Sequence, residues 1–367
     1  MSEPASVIPA ASWVSAHAFH AGALDALIID GVAPVVGALS SAGLIDGYFF
    51  LRYWEGGPHL RLRLRPTGAR PEWAAEIRRL VTEKLGGYLA AHPSTRRMTA
   101  RRYAALAGRF AVAEDLPRYE RALRPNDSVA FIAYRPELHW YGRQASLAAV
   151  ERHFVESSEL ALGLLIGGTP PARRGAVALA LLTLTLAVGE PDPGRVARWF
   201  TPRRAVSNLA PDGPSPSELA GFEAGYRQHR RGLLTQTARL WETAGGSIGA
   251  DRQGVPGGDT LRGWLRSVRA LHARLRQLCA QGHFPPPGFR FDPPPADQIP
   301  TDQTSPGDPD AITLVLSRCA HLLCNRLGLS LTGEVYLRFL LARALTDLTA
   351  SPLGIDDLAV MKGQSSS

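Results

Sequence analysis

Polar and apolar residues alternate strictly in the segment HLRLRLRP, which begins at His59. Successive side chains of a β-strand point to opposite faces of the sheet, so the three leucines of this segment share one face. The other face carries a row of polar side chains: His59, Arg61, Arg63 and Arg65. The pattern predicts a strand whose leucines pack against helices and whose guanidinium groups need water or an acceptor-rich ligand. An edge strand kept soluble by charge is the alternative interpretation.

A second apolar run, YFFLRY, precedes this strand, and the polar break Glu55–Pro58 lies between the two runs. Two β-rich runs on either side of a break that contains glycine and proline are typical of a β-hairpin. If the four residues of the break form the whole turn, Trp54 pairs with His59 and Arg52 pairs with Arg61. This register predicts that Arg52 lies on the same face as the arginines of the second strand.

Further strands and helices follow from the pattern in the first part of the chain. The segments SWVSAHAF at Ser12–Phe19 and SVAFIAY at Ser128–Tyr134 are predicted as strands. The segment Leu24–Ile45 has helical spacing, and its Pro34 should kink or divide the helix. A helix over Pro71–Ala91 begins with a proline, which is favoured in the first turn.

From about residue 145 onward the apolar spacing is helical. We expect helices at Ala145–Ile166, Ala172–Val188, Gly194–Phe200, Pro216–Thr243, Asp259–Ala280 and within Ala311–Leu348. Ser215 and Glu218 have the spacing of a helix-capping box. The predicted fold class is α+β, with a small, mainly antiparallel sheet and an extensive helical part. We expect one unit over residues 1–350, sheet-rich over about 12–142 and helical over about 143–350, and a flexible tail at 351–367.

Composition and charge indicate which classes of binding partner the chain can have. The chain has 367 residues and a formal net charge of +8, and nearly all of its positive charge is arginine because only two residues are lysine. Such a charge suits an acidic peptide, and no RNA- or DNA-binding motif accompanies it. No apolar run reaches the roughly 18 residues that span a bilayer, and the N-terminus lacks the basic region of a signal peptide. We therefore expect neither a membrane nor a nucleic acid as partner.

The cysteines and the short motifs bear on cofactors and location. Cys279, Cys319 and Cys324 are an odd set without CxxC spacing, which argues against a zinc site and favours a reducing, cytoplasmic location. No glycine-rich phosphate loop, nucleotide fingerprint or Ser-His-Asp order is recognisable. We therefore expect no metal and no cofactor.

Three stretches resemble a known family. The run FFLRYWEGGPHLRLRLR, the segment YRPELHWYGRQASLAAVERHFVESSELAL and the helical run HLLCNRLGL are similar to the C-terminal, glutamate-eliminating domain of lantibiotic dehydratases. This domain also occurs as a stand-alone protein in thiopeptide biosynthesis. In the second stretch the matching positions are Glu137, Tyr141, Gly142, Glu151, Phe154 and Ser158. In the third they are His321, Asn325, Arg326 and Leu327.

Two positions depart together from the eliminating members of that family. Trp140 stands where those members have an arginine implicated in handling the glutamyl group, and Leu323 stands where they have a histidine proposed as an acid or base. Arg143 also replaces the second glycine of the motif. Tryptophan cannot bind a carboxylate, but it can stack on flat rings or peptide planes. The resemblance therefore points to a sister group of the same fold, the thiopeptide pyridine synthases.

Membership of that group implies a formal (4+2) aza-cycloaddition within one leader-bearing precursor peptide. One dehydroalanine is the two-carbon partner, and a second dehydroalanine, with its amide in the iminol form, is the azadiene. Loss of water and of the leader peptide then produces the central pyridine of a macrocycle, without a metal or a redox cofactor. The alternatives are the glutamate-eliminating subunit of a split tRNA-dependent dehydratase and a non-catalytic module that binds the leader peptide.

The resemblance and the chemistry of the side chains together indicate the site residues. The catalytic candidates, for oxygen stabilisation and proton transfer, are Arg61, Arg63, His139 and Tyr141. The candidates for substrate binding are Tyr53, His59, Trp140, His321, Asn325 and Arg326. The expected partner is the modified precursor peptide, with its leader and its dehydrated, azole-containing core.

Overall fold

The computed structural model describes residues 13–68, 70–113, 118–207, 213–246, 258–289 and 310–350. The predicted tail at 351–367 lies outside these ranges. The chain divides into two compact units, Met1–Pro136 with Ser157–Gly168, and Glu137–Glu156 with Thr169–Ser367. The first unit ends near the predicted end of the sheet-rich part, but it also includes twelve residues from the helical part. That residues 1–350 fold as one unit stays a prediction.

The first unit contains a four-stranded antiparallel sheet, which confirms the sheet of the predicted α+β fold. Its strands are β1 (Val14–Phe19), β2 (Ile45–Tyr53), β3 (His59–Pro66) and β4 (Ser128–Phe131). They lie in the order β2–β3–β1–β4, and every neighbouring pair is antiparallel. Because β3 has a neighbour on each side, the interpretation of the arginine-rich segment as an edge strand is wrong.

Helices of the same unit cover the leucine face of this sheet. They are α1 (Leu24–Ala26), a π-helical segment (Leu27–Val32), α2 (Ala33–Ser41) and α3 (Pro71–Ala91). Leu60, Leu62 and Leu64 are completely buried. Arg78 of α3 lies 4.8 Å from the ring centroid of Phe131, a residue of the same face, so α3 packs on this side. Further along the unit is helix α4 (Ala100–Ala113).

The first predicted helix is irregular and ends earlier than expected. Helical structure ends at Ser41, and Ile45 already begins strand β2, so the predicted end at Ile45 is wrong. The expected disturbance at Pro34 takes the form of the π-helical segment just before it. Pro34 itself lies in the first turn of α2, where a missing backbone N–H group is tolerated.

The second unit is helical in the part that the structure describes. Its helices include α5 (Leu138–Tyr141), the beginning of α6 (Ala145–Ile166), α7 (Pro171–Gly189), α8 (Pro193–Trp199), α9 (Pro202–Ser207), α10 (Pro216–Gly245), α11 (Gly258–Ala280), α12 (Ala311–Arg326) and α13 (Leu331–Ala350). Helix α7 packs against α10, α11, α12 and α13 and forms the centre of this core. The capping box of Ser215 and Glu218 at the start of α10 is confirmed.

Two helical segments are long and apolar enough to cross a membrane, Leu24–Ser41 with mean hydropathy 1.5 and Pro171–Gly189 with 1.4. The expectation that no apolar run reaches this length is therefore wrong. In the apolar 18-residue window of Pro171–Gly189, 67% of the residues are buried, as expected for the central helix of a core. The hydroxyl groups of Thr183 and Thr185 donate to backbone carbonyls four residues earlier, which satisfies them inside that core.

Candidate functional site

The polar side of the sheet collects side chains from two neighbouring strands. His17 of β1 lies opposite Arg61 of β3, and Ser15 lies opposite Arg63. Residues directly opposite each other in a sheet project from the same face. His59 belongs to this face as well, because it precedes Arg61 by two positions on the same strand. We call Ser15, His17, His59, Arg61 and Arg63 the polar sheet face.

The hairpin that carries β3 has a different register from the predicted one. Tyr53, rather than Trp54, lies opposite His59, so the turn contains one residue more than expected. The N–H group of Gly57 donates to the carbonyl of Trp54 at 2.8 Å, which makes Trp54 part of the turn. The shift moves Arg52 to the leucine face, where it binds the carboxylate of Asp25 in α1 at 2.6 Å. The prediction that Arg52 joins the other arginines is therefore wrong.

Arg63 is buried, although the strand pattern predicted an exposed arginine. Only 5% of the residue is accessible to solvent. Its Nε and Nη1 atoms have no hydrogen-bond partner in the part of the chain that the structure describes. Burial and the neighbouring Arg61 lower the pKa of Arg63 to about 9, so the guanidinium stays protonated at neutral pH. A buried cation of this kind is costly unless a ligand supplies acceptors.

The guanidinium group of Arg61 has one hydrogen-bonded nitrogen and one buried nitrogen without a partner among the described residues. Its Nη2 atom donates to the carboxylate of Glu55 at 2.8 Å, and its Cζ atom lies 3.3 Å from the ring centroid of Tyr53. The Nε atom is buried and has no hydrogen-bond partner among the described residues. Tyr53 thus supports the guanidinium through the face of its ring. Its predicted contact with substrate stays a prediction.

The two histidines of the polar sheet face are stacked and neutral. The ring centroids of His17 and His59 are 4.9 Å apart, and the ring planes differ by 18°. Burial, reinforced by the nearby guanidinium groups, lowers the pKa of His17 to about 2 and that of His59 to about 3. Nδ1 of His59 lies 2.8 Å from the carbonyl oxygen of Gly57. Because a carbonyl only accepts, Nδ1 carries the proton and Nε2 of His59 carries the lone pair.

Ser15 and His17 were not predicted as site residues. Their signal in the sequence is the alternation along β1, in which Ser15, His17 and Phe19 share one face. That signal alone does not reveal a site, because it does not specify which strand lies beside β1. Only the pairing of β1 with β3 places these residues next to the arginines.

The polar sheet face combines two guanidinium groups with two neutral imidazoles. Guanidinium donors can stabilise an oxygen that gains negative charge, and an imidazole lone pair can accept a hydrogen bond or a proton. Glu55, the carboxylate beside Arg61, is already bound by it. No group of three or more His, Cys, Asp or Glu side chains in the described ranges is arranged to hold a metal ion.

The remaining candidates lie in the second unit, several of them around Arg318 of α12. Arg318 donates to the carboxylate of Glu137 at 2.8 Å and to the hydroxyl of Tyr141 at 3.1 Å. Its Cζ atom lies 4.8 Å from the ring centroid of Trp140, and Phe289 meets the same ring edge-on at 5.6 Å. Arg318 therefore holds the short helix α5 in place. No local pattern in the sequence connects Arg318 to α5, so this arginine was not among the predicted site residues.

The two candidates for proton transfer lie in different environments. Tyr141 is buried, and burial raises the pKa of its phenol well above the usual range, so the phenol stays neutral. Its oxygen accepts the hydrogen bond from Arg318. His139, on the same helix, is exposed. A role in proton transfer stays a prediction for both residues.

Three substrate-binding candidates lie on α12: His321, Asn325 and Arg326. Nδ1 of His321 is 2.8 Å from the carboxylate of Glu334 on α13. Arg326 is completely buried, and its Cζ atom lies 5.3 Å from the ring centroid of Phe154. Leu323 is also buried and belongs to the helical core. These contacts connect helices of the second unit, and binding of substrate by these residues stays a prediction.

Comparison with solved structures finds proteins that are similar to this chain in fold. A "Pyridine synthase, TbtD, from thiomuracin biosynthesis" has a TM-score of 0.68 and 21% identity, over 92% of this chain and 98% of that chain. The structure described as "Crystal structure of TsrL" has a TM-score of 0.58 and 20% identity, over 91% of this chain and 94% of that chain. At these identities the similarity shows a shared fold. Among curated proteins no match was found.

The family model described as "Lantibiotic biosynthesis dehydratase C-term" matches residues 13–345, nearly the whole chain. The match includes the arginine-rich hairpin of the first unit and the helices α5 and α12 of the second, the segments in which the sequence resemblance was found. The predicted α+β fold of this family is confirmed by the structure and by its neighbours. The chain therefore belongs to the family of lantibiotic dehydratase C-terminal domains.

Proposed function

We propose that this chain is a thiopeptide pyridine synthase, which joins two dehydroalanines of one leader-bearing precursor peptide by a formal (4+2) aza-cycloaddition. The observation that carries the proposal is the buried polar sheet face. There Arg61 and Arg63 leave donor atoms without partners among the described residues. The fold shared with a pyridine synthase supports the proposal. The changes at Trp140 and Leu323, relative to eliminating family members, support it as well.

The chemistry of the proposed reaction requires donors aimed at oxygen. The azadiene forms when a proton leaves an amide nitrogen and the amide oxygen becomes an iminol hydroxyl. Cycloaddition to the second dehydroalanine closes the ring, and loss of water and of the leader peptide as an amide makes it aromatic. A guanidinium donor held ready in a site sheltered from water stabilises charge on such an oxygen by about 3 kcal/mol. Arg61 and Arg63 are assigned this role.

The candidates of the second unit are assigned supporting roles. Trp140 is half-buried, and its neighbours Arg318 and Phe289 fix the orientation of its ring. A ring held in this way can stack on an azole or a peptide plane of the core peptide. His139 is the better placed proton carrier, because it is exposed whereas the Tyr141 phenol is buried and bound by Arg318.

Mass spectrometry of the purified chain with two precursor peptides tests the proposal. With a peptide that contains two dehydroalanines, we expect a pyridine macrocycle and a released leader amide, whose summed masses are lower than that of the substrate by one water. With a glutamylated precursor, we expect no formation of dehydroalanine. Dehydroalanine from the glutamylated peptide, without any macrocycle from the other, contradicts the proposal.

Glutamate elimination is the second candidate, and one observation favours it. Arg318 lies over Trp140 and brings a guanidinium close to the position at which eliminating members have arginine. Against it, Leu323 provides no acid or base at the position of the eliminating histidine. The two peptides of the preceding experiment separate these activities. A non-catalytic leader-binding module would bind both peptides and change neither.

A further inference from the structure

We propose that the polar sheet face binds a neutral peptide amide, with His59 accepting the amide N–H group, Arg63 donating to the amide oxygen, and His17 contacting the same amide between them. The inference rests on the proposed function for the identity of the peptide. It extends that function by adding strand β1, through Ser15 and His17, to the hairpin residues that were predicted from the sequence on this face.

Several buried polar atoms of the polar sheet face lack a hydrogen-bond partner in the part of the chain that the structure describes. On the polar sheet face, within the described residues, these atoms are Ser15 Oγ, His17 Nε2, His59 Nε2, Arg61 Nε, Arg63 Nε and Arg63 Nη1. An unsatisfied buried polar group costs about 1–3 kcal/mol, so native structures contain few of them. Their concentration on one face of one sheet indicates a surface that is completed by a ligand.

The polar sheet face offers both hydrogen-bond acceptors and hydrogen-bond donors. His59 offers a lone pair, because its Nδ1–H group is bound to the carbonyl of Gly57 and its Nε2 atom has no proton. Arg63 offers N–H donors. An amide has one donor and one acceptor, whereas a carboxylate has acceptors only. Two guanidinium groups by themselves suit either ligand, and the imidazole lone pair makes the face specific for the amide.

His17 occupies a central position on the polar sheet face. It lies directly opposite Arg61 in the sheet and stacks on His59 at 4.9 Å. Its diagonal neighbour on the other side is Arg63, which is opposite Ser15. His17 therefore lies among the residues of the face that would bind the amide, while its own Nε2 atom has no partner among the described residues. Burial lowers the pKa of both imidazoles, so they are neutral at neutral pH and can accept a hydrogen bond from an N–H group.

Nuclear magnetic resonance of the full chain with ¹⁵N-labelled histidine tests the site directly. The probes are acetyl-dehydroalanine methylamide, which is a neutral diamide, and acetate at the same concentration. We expect the diamide, and not acetate, to shift the Nε2 signals of His17 and His59. The two signals are assigned from the variants His17→Phe and His59→Phe. A response to acetate alone, or to neither probe, overturns the proposal.

The variant His17→Phe separates a ligand contact from a structural role. Phenylalanine keeps the stacked ring and removes a buried nitrogen without a partner, so we expect the melting temperature to stay the same or rise. Binding of the diamide should fall at least tenfold. The matched control is His153→Phe in the second unit, since His153 is also buried with an unpartnered Nε2 atom among the described residues. This control should bind the diamide like wild type, although it loses a contact to Ser267.

The outcomes distinguish this inference from the proposed function. If the wild-type chain cyclises the bis-dehydroalanine peptide and His17→Phe cyclises it equally fast, the amide site is wrong and the function stands. If the wild-type chain does not cyclise the peptide and the diamide still shifts both histidine signals, the function is wrong and the amide site stands.

Discussion

At the scale of the residue, Arg63 combines a structural cost with a proposed gain in function. It is buried, has unpartnered donors among the described residues and lies beside a second arginine. Taking a single charge out of water costs several kcal/mol, so replacing an unpaired buried charge with an apolar side chain of similar volume should not lower stability. We therefore expect Arg63→Met to keep or raise the free energy of unfolding, while the cyclisation rate falls about a hundredfold. Urea unfolding and a cyclisation assay measure the two effects.

Two further variants control this prediction. Arg63→Lys keeps the charge and loses the planar fork of donors, so it should restore the rate only in part. Leu62→Ala, on the opposite face of β3, should lower the free energy of unfolding by about 2–5 kcal/mol, because Leu62 is completely buried. An Arg63→Met variant that cyclises at the wild-type rate would show that the arginine is structural.

Buried histidines should make the stability of the chain dependent on pH. In the unfolded chain an imidazole takes up its proton near pH 6.5. In the folded chain the pKa is about 2 for His17 and about 3 for His59 and His153. Below pH 6.5 the unfolded state therefore binds more protons than the folded state. The contribution of these histidines to the free energy of unfolding is complete above pH 6.5 and declines as the pH falls toward 3. Each histidine lowers the free energy of unfolding by at most about 1.4 kcal/mol for each unit by which the pH falls.

Urea unfolding at pH 7.5 and pH 5 measures this dependence. The variant His17→Phe lacks one of the three groups, so the difference between its two unfolding free energies should be smaller than in the wild-type chain. Equal differences in the two proteins would show that His17 is not held neutral by burial.

At the scale of the element, Arg318 determines the position of α5. It binds Glu137 and Tyr141 and lies over Trp140. Arg318→Met leaves the buried Tyr141 hydroxyl without this partner, so we expect a loss of about 1–3 kcal/mol in the free energy of unfolding. Amide hydrogen exchange should become faster in α5, and KM should rise more than kcat falls, because Trp140 loses a fixed orientation. Unchanged exchange in α5 would contradict this account of the helix.

At the scale of the whole molecule, the net charge of +8 bears on how the peptide is bound. A surface rich in arginine attracts acidic peptides, and for the proposed substrate the binding energy of a remote leader can position the reacting core. We expect affinity for the leader alone to exceed affinity for the core alone and to weaken as salt rises. Titrations of both peptides at two salt concentrations measure this. Tight, salt-insensitive binding of the core without binding of the leader would refute it, and saturable tRNA binding at physiological salt would favour the charge serving tRNA.

Across these scales, the sequence determined the elements and the side-chain types of the site. Alternation along β3 predicted which residues share each face, because the side-chain period of a strand is two regardless of its neighbours. Helical spacing and the capping box of Ser215 predicted helix α10 for a similarly local reason. Three motifs were sufficient to indicate the family, since each is a contiguous stretch of the chain.

Only the tertiary structure decided what surrounds those residues. The hairpin register differs by one residue from the prediction because the turn geometry at Gly57 includes Trp54, and the sequence alone does not specify that hydrogen bond. The strand order placed β3 in the interior of the sheet and brought His17 beside Arg61. Strand order, burial and the pKa values that follow from burial depend on contacts between distant segments, whereas a local pattern reports only on neighbours along the chain.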